Sequence, residues 1–235
     1  MIGAEQPVTV AVVDSGVNVP HPHLPSVAGG IALDLDGNPS ADFVDRLGHG
    51  TAVAAAIHEK APQAAIYAVK VFHDRLATRV SALVRAIDWA SERGIRLVNL
   101  SLGTPNAVRA AELAPAVTRA VERGTIVVSA LEHDGKRWYP GCLSGVVGVL
   151  LDPEHARDSV TVADARGGPA VLASGYARPI PGVPPEHNLN GISFAVANAT
   201  GCLAAALAEH PQVRAAADAV RVLGPVGGRA RGGPR

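Results

Sequence analysis

The sequence predicts an α/β protein with a mostly parallel sheet and helices on both faces. Short, continuous apolar runs recur along the chain, and each is typical of a strand that is buried on both faces. Segments with apolar residues three and four positions apart lie between these runs, as in amphipathic helices. Regular alternation of strand and helix is the pattern of a parallel sheet covered by helices.

The elements follow one another in a simple order. The strands are predicted at residues 8–13, 65–72, 95–102, 125–130 and 146–151. The helices are predicted at residues 51–60, 79–94 and 105–124, the last ending on a glycine. Residues 175–190 contain four prolines and no periodicity, which indicates a surface loop. Residues 191–210 then predict a serine-bearing turn that continues into a long helix of small residues.

The length and composition predict a single domain. A chain of 235 residues is within the range of one domain, and we assign residues 1–223 to it. Residues 224–235 are mostly Gly, Pro and Arg, with only Val226 and Ala230 as apolar residues, and are expected to be a disordered tail. Basic and acidic residues number 21 each. This balance favours neither nucleic acid nor a membrane as a partner.

The N-terminal region and the cysteines bear on the cellular location. The first ten residues contain neither the basic nor the apolar part of an export signal, and we find no later apolar run of 18 or more residues. Cys142 and Cys202 are too few for a disulfide framework and are expected to be buried free thiols. A cytoplasmic protein is the simplest expectation, although a removed leader would leave the same sequence.

Three separate segments carry the residue types needed for hydrolysis by a serine. Asp14 follows the first strand and precedes a tight turn, His49 lies between two glycines at the start of a helix, and Ser193 occupies the same kind of position. Such chemistry needs a nucleophile, a base to take its proton and an acid to orient the base. Singly, each segment is more often a turn or a helix cap. Together, in this order, they predict a catalytic set.

These segments resemble the signatures of the subtilisin-like serine peptidases, in the order Asp, His, Ser. The strand VNLSLG (98–103) and the run at 139–152 also resemble parts of that family, and the similarity covers roughly residues 8–209. The resemblance implies a three-layer subtilisin-like fold and serine endopeptidase activity.

The resemblance also implies a role for each residue of the set. Ser193 would attack the scissile carbonyl, His49 would take and return the proton, and Asp14 would hold the imidazole in the correct tautomer. The backbone N–H of Ser193 would supply one hydrogen bond to the oxyanion.

The loop that usually supplies the second oxyanion donor departs from the family. Where a Gly-Asn pair is usual, the sequence has Glu132 and His133. A histidine ring donates from one N–H in its neutral form, so His133 is the predicted donor, and the alternative is a surface histidine.

Glu132 would border the substrate pocket together with Ser101, Leu102 and Gly103. There it would favour a basic residue or narrow the pocket, and the alternative is a carboxylate turned to solvent.

The segment around Ser193 also differs from the common family residues Thr, Met, Ser, Pro and His, although no catalytic group is lost. The differing positions are Ile192, Phe194, Val196, Ala197 and Asn198.

Substrate is expected to bind as an added strand between residues 101–103 and the edge at 76–78. No cofactor and no catalytic metal are predicted. Calcium sites occur in many relatives, but their ligands cannot be mapped onto this chain.

Two functions remain open from the sequence. The first is an endopeptidase that acts in the cell or processes a dedicated precursor peptide. The alternative is a pseudopeptidase, catalytically weak or inactive, that uses the cleft to bind peptide. A nucleotide-binding domain is disfavoured because no GxGxxG motif follows the first strand.

Overall fold

A computed structural model describes residues 6–165 and 168–224. The predicted tail at residues 224–235 lies outside this part of the chain apart from its first residue. The predicted domain, residues 1–223, is described apart from residues 1–5 and 166–167.

The strands and helices alternate along the chain, as the sequence predicts. The strands are β1 (Thr9–Asp14), β2 (Gly29–Leu33), β3 (Pro39–Ser40), β4 (Ala65–Lys70), β5 (Leu97–Leu100), β6 (Ile126–Ala130), β7 (Glu132–His133), β8 (Lys136–Arg137), β9 (Val146–Leu151), β10 (Val160–Ala165) and β11 (Gly168–Ala173). The helices are α1 (His49–Lys60), α2 (Val80–Glu92), α3 (Ala110–Glu122), α4 (Ile192–Glu209) and α5 (Ala216–Val222), with short 3₁₀ turns at Ala107–Arg109 and Pro185–His187.

Nine of the strands form one sheet in the order β10-β11-β9-β6-β5-β1-β4-β2-β3. The interior of the sheet, from β11 to β2, is parallel, and only the outermost strands β10 and β3 are antiparallel to their neighbours. β7 and β8 form a separate hairpin. The predicted fold class, a mostly parallel α/β sheet, is therefore confirmed.

Helices cover both faces of the sheet. Val10 and Val12 of β1 belong to the core shared with α1, α4 and α5, whereas Ala11 and Val13 belong to the core shared with α2 and α3. Successive side chains of a strand point to opposite faces, so each face of β1 contributes to a different core. Burial on both faces explains why the central strands are continuous apolar runs rather than alternating ones.

The helix that carries Ser193 is the central helix of one core. Within the described ranges, α4 is the one helix that is long and apolar enough to cross a bilayer by length and composition alone. It packs against α1, α5 and five strands of the sheet, and 61% of its residues are buried inside the protein. The start of α1 and the start of α4 both lie at the carboxyl edge of the sheet, next to the last residue of β1 and the residue that follows β5.

Several elements were not predicted. β2, β3, β10 and β11 lie toward the edges of the sheet, where short or partly exposed strands give weaker apolar runs. The hairpin β7–β8 and the short helix α5 were also missed. The expectation of buried cysteines was wrong in part, because Cys142 and Cys202 are free but only half-buried.

Candidate active site

Asp14 is the last residue of β1 and is completely buried. Its Oδ1 accepts a hydrogen bond from the backbone N–H of Ser15 over 2.7 Å and lies 2.7 Å from Nδ1 of His49. The second contact fixes which nitrogen of the imidazole faces the carboxylate. The other nitrogen, Nε2, is left to act toward the cleft, as a general base requires.

His49 is the first residue of α1, and its side chain is 16% exposed. Burial acts to lower the pKa of the imidazole, but the hydrogen bond to Asp14 and the charges of Asp14 and Asp45 outweigh burial, so the net pKa is raised above 6.5. The ring also packs against Phe194, with 5.6 Å between the ring centroids. The histidine is therefore held by a buried carboxylate on one side and an aromatic ring on another.

Ser193 is the second residue of α4 and faces Ser101, which follows β5. The Oγ of Ser193 donates to the carbonyl oxygen of Ser101 over 3.1 Å, and the Oγ of Ser101 donates to the carbonyl oxygen of Ser193 over 3.1 Å. The backbone N–H of Ser193 lies in the first helical turn, where amides have no acceptor within the helix. This N–H and the positive end of the helix dipole suit a developing negative charge.

The hydroxyl of Ser193 is hydrogen bonded to Ser101 and, within the part of the chain that the structure describes, not to His49. Rotation about the Cα–Cβ bond moves Oγ and rotation about the Cβ–Oγ bond redirects its proton, and catalytic hydrogen bonds commonly tighten only when substrate is bound.

One cleft of about 770 Å³ brings the predicted substrate-binding segments together with His49 and Ser193. Ser101, Leu102 and Gly103 line it, and so does the opposite segment from Leu76 to Thr78. The two segments lie as expected for a peptide that binds as an added strand between them.

The predicted oxyanion loop is a hairpin rather than an irregular loop. His133 pairs with Lys136 across β7 and β8, and the turn between them has positive φ angles at Asp134 and Gly135, 51° and 71°. Aspartate followed by glycine is a typical pair for such a two-residue turn. His133 lines the same cleft as Ser193, whereas Glu132 is exposed and is not among the residues that line it.

A comparison with known families decides which one this fold and site represent. The model of the subtilase peptidase family matches residues 5–223. The chain belongs to the subtilase family. The predicted resemblance is thereby confirmed, and the family consists of serine-type endopeptidases.

Named relatives of this subtilase differ widely in length. This chain is 29% identical over 232 residues to Subtilisin DY of Bacillus licheniformis. The match covers 88% of this chain and 79% of Subtilisin DY. The chain is 36% identical over 159 residues to the minor extracellular protease Epr of Bacillus subtilis, covering 63% of this chain but only 24% of Epr. The subtilase therefore spans about a quarter of the longer relative.

The fold is similar to that of the nisin leader peptidase NisP of Lactococcus lactis. The TM-score is 0.69 at 19% identity, and the match covers 90% of this subtilase and 80% of NisP. At this identity the similarity establishes the shared fold.

Asp45 is a buried residue of the subtilase site that was not singled out from the sequence. Its carboxylate accepts hydrogen bonds from the hydroxyls of Ser15 and Thr51 and from the backbone N–H groups of Leu47, Gly48 and Thr51. Burial acts to raise the pKa of this carboxyl, but these hydrogen bonds outweigh it, so the pKa is lowered below 3.8. Asp45 thus ties the turn before His49 to the turn after Asp14.

A second buried polar group lies beneath Ser193. The side-chain amide of Asn99, on β5, donates to the Oγ of Ser101 over 2.9 Å, and its carbonyl accepts from the hydroxyl of Thr200 on α4 over 3.0 Å. Asn99 and Thr200 are fully buried. These bonds fix Ser101, and through it Ser193, against the sheet. The only sequence signal was a polar residue inside an apolar strand.

Two departures from the common family residues have visible partners. Asn198, where the family commonly has His, is buried and donates from its amide to the carbonyl oxygens of Ser174 and Tyr176. Phe194, where Met is common, supplies the ring that packs on His49. Asn198 therefore anchors the chain that leaves β11 to the middle of α4.

Residues that could hold a metal were sought among the side chains that the structure describes. No group of three or more His, Cys, Asp or Glu side chains lies close enough together to hold an ion there. The calcium sites of relatives stay unassigned in this chain.

Proposed function

We propose that this subtilase hydrolyses peptide bonds with Ser193 as nucleophile, His49 as general base and Asp14 as the acid that orients the base. The observation that carries the proposal is the 2.7 Å contact between Asp14 Oδ1 and His49 Nδ1, in the cleft that also holds Ser193. The carboxyl group of Asp14 lies beside the ring, where it would favour the imidazolium that forms when the serine loses its proton.

The oxyanion is proposed to be stabilised from two sides. The backbone N–H of Ser193 is the first donor, since it lies in the unpaired first turn of α4. His133 is the second, because it lines the cleft and its hairpin follows directly on β6. A neutral imidazole has one N–H to donate, and its other nitrogen is free to accept.

The proposed substrate is a defined precursor peptide rather than protein in general. Two observations support it: the His133 hairpin departs from the usual family loop, and the fold is similar to that of an enzyme named for cleaving the leader of nisin. A cytoplasmic location stays a prediction. The two free cysteines fit a reducing compartment, whereas one relative is named an extracellular protease.

A peptide-binding protein without catalytic activity is the second candidate. It is favoured by one observation, the hydrogen bond of Ser193 Oγ to Ser101 instead of His49. In that case the cleft would bind a peptide strand and leave it intact.

Peptide cleavage separates the candidates. Purified wild type and Ser193→Ala would be incubated with casein and with a mixture of precursor-like peptides, and new termini would be identified by mass spectrometry. We expect wild type, but not the variant, to cut a narrow set of sites. Broad casein digestion would contradict a dedicated precursor, and no cleavage of any peptide would favour the binding protein.

A further inference from the structure

If Ser193 is the nucleophile, as proposed above, the residue before the scissile bond must fit directly beside it, because the serine attacks the carbonyl carbon of that residue. Ser101 to Gly103 flank this position on one side of the cleft, and Ala130 and His133 flank it on the other. The side chain that fits there depends on what occupies the space between these two walls.

The indole ring of Trp138 contacts both walls. Its Cδ1 and Nε1 atoms lie 2.6 and 2.7 Å from the point where a Cβ on Gly103 would stand. The ring also meets His133 edge to face, with 5.5 Å between the ring centroids. Because glycine has no side chain, the indole lies directly against the backbone of Gly103. Trp138 therefore fills the space between Gly103 and the β7–β8 hairpin that carries His133.

The backbone on either side of Trp138 holds the ring in this place. The N–H of Trp138 donates to the carbonyl of Leu131 over 3.0 Å, and its own carbonyl accepts from the N–H of Cys142 over 3.0 Å. Tyr139 exchanges two hydrogen bonds with Thr104, of 2.8 and 2.9 Å, so the segment is paired with the wall it touches. The ring also packs on the core between the sheet and α4. A rotation that emptied the space would break these core contacts.

We infer that Trp138 restricts the residue before the scissile bond to glycine, alanine or serine. A small side chain fits above the indole, whereas a leucine or phenylalanine side chain has to displace a ring that the core supports. One methylene more or less in an apolar pocket already changes kcat/KM by about 10- to 200-fold. We expect a phenyl group at this position to lower kcat/KM by at least as large a factor.

Phosphonate probes test this specificity apart from the chemistry of Ser193. A simple alkyl fluorophosphonate reports whether the serine is activated, because it carries no side chain toward the pocket. Matched peptidyl diphenyl phosphonates with alanine or phenylalanine next to phosphorus report what the pocket accepts. Rates of covalent labelling would be measured for wild type, Trp138→Ala, Trp138→Leu and the control Lys136→Ala, an exposed position of the same hairpin.

We expect the wild type to react with the alanine probe at least about 100-fold faster than with the phenylalanine probe, and Trp138→Ala to lower that ratio about tenfold or more. Trp138→Leu should lower it less, and Lys136→Ala should leave it unchanged. A wild type that labels equally with both peptide probes would overturn the inference while the proposed hydrolysis stands. A wild type that fails to react with the alkyl fluorophosphonate would overturn the proposed hydrolysis, and the inference with it.

Discussion

Ser193 Oγ donates its hydrogen bond to the carbonyl oxygen of Ser101 over 3.1 Å. That carbonyl lies on the strand where a substrate is expected to pair, so a substrate N–H and the Ser193 hydroxyl compete for one acceptor. Substrate binding would then release the hydroxyl for His49. In the structure, the hydroxyl of Ser193 is hydrogen bonded to Ser101 rather than to His49.

This competition predicts a penalty for substrates that cannot donate to Ser101. We expect N-methylation of the residue before the scissile bond to lower kcat/KM about tenfold, the effect of one hydrogen bond of roughly 1.4 kcal/mol. The measurement compares a cleaved peptide with its N-methylated form. Methylation two residues beyond the scissile bond, on the leaving side, is the control, and an equal loss from both would contradict the competition.

The raised pKa of His49 predicts the acid limb of the pH profile. A general base must be neutral, so kcat/KM should rise with pH through a midpoint above 6.5. Asp45 contributes a negative charge that raises this pKa, and Asp45→Asn should move the midpoint to lower pH. An unchanged midpoint in the variant, measured over the same pH range, would show that the charge of Asp45 does not affect the pKa of the imidazole.

The same pKa shift predicts how the pair affects stability. A group with a raised folded-state pKa stabilises the protein below its unfolded pKa, and this contribution is lost as pH rises through the folded value. Relative to His49→Gln, the wild type should therefore lose stability as pH rises above 6.5. Denaturant unfolding of both proteins at several pH values measures the difference, and parallel curves would contradict the prediction.

Asp45→Ala is predicted to destabilise the fold strongly. The variant leaves buried hydroxyls and N–H groups around the turn before His49 without an acceptor, and we expect a loss of about 3 kcal/mol in the free energy of unfolding. Asp42→Ala is the matched control from the same loop. Asp42 is exposed and paired with Arg46, so its loss should cost only about 0.5 kcal/mol or less. Similar losses in both variants would contradict the role of Asp45.

His133→Ala tests the second oxyanion donor. Removal of one such donor typically lowers kcat by about 100- to 1000-fold, and KM should change little because the oxyanion exists only in the transition state. Glu132→Ala is the control on the neighbouring exposed position. A rise in KM with kcat unchanged would assign His133 to substrate binding instead.

The central fold was predictable because its strands are buried on both faces. A strand such as β1 has apolar residues facing two cores, and this leaves an unmistakable apolar run. The edge strands β2 and β10 have partly exposed residues and therefore no such run. The hairpin at His133 did carry a signal, since Asp134 and Gly135 form the favoured dipeptide of a two-residue turn.

The residues of the site were only partly predictable. Asp14, His49 and Ser193 each stand in a recognisable segment, and the structure places His49 and Ser193 in one cleft with Asp14 buried against His49. Asp45, Asn99 and Trp138 contact Ser15, Thr200 and Gly103, across separations along the chain that no local pattern encodes. Glu132 illustrates the opposite case, a predicted pocket residue that turns to solvent because it alternates with His133 along a strand.

The activation of Ser193 by His49 is the central claim, and the rate of labelling by an alkyl fluorophosphonate tests it most directly. Intact mass would be followed with time for wild type, Ser193→Ala, His49→Ala and Ser144→Ala, a control at an exposed serine. We predict one label on wild type and Ser144→Ala, none on Ser193→Ala, and labelling slowed by orders of magnitude in His49→Ala. An unlabelled wild type, or a His49→Ala variant that labels as fast as wild type, would contradict the proposed catalytic set.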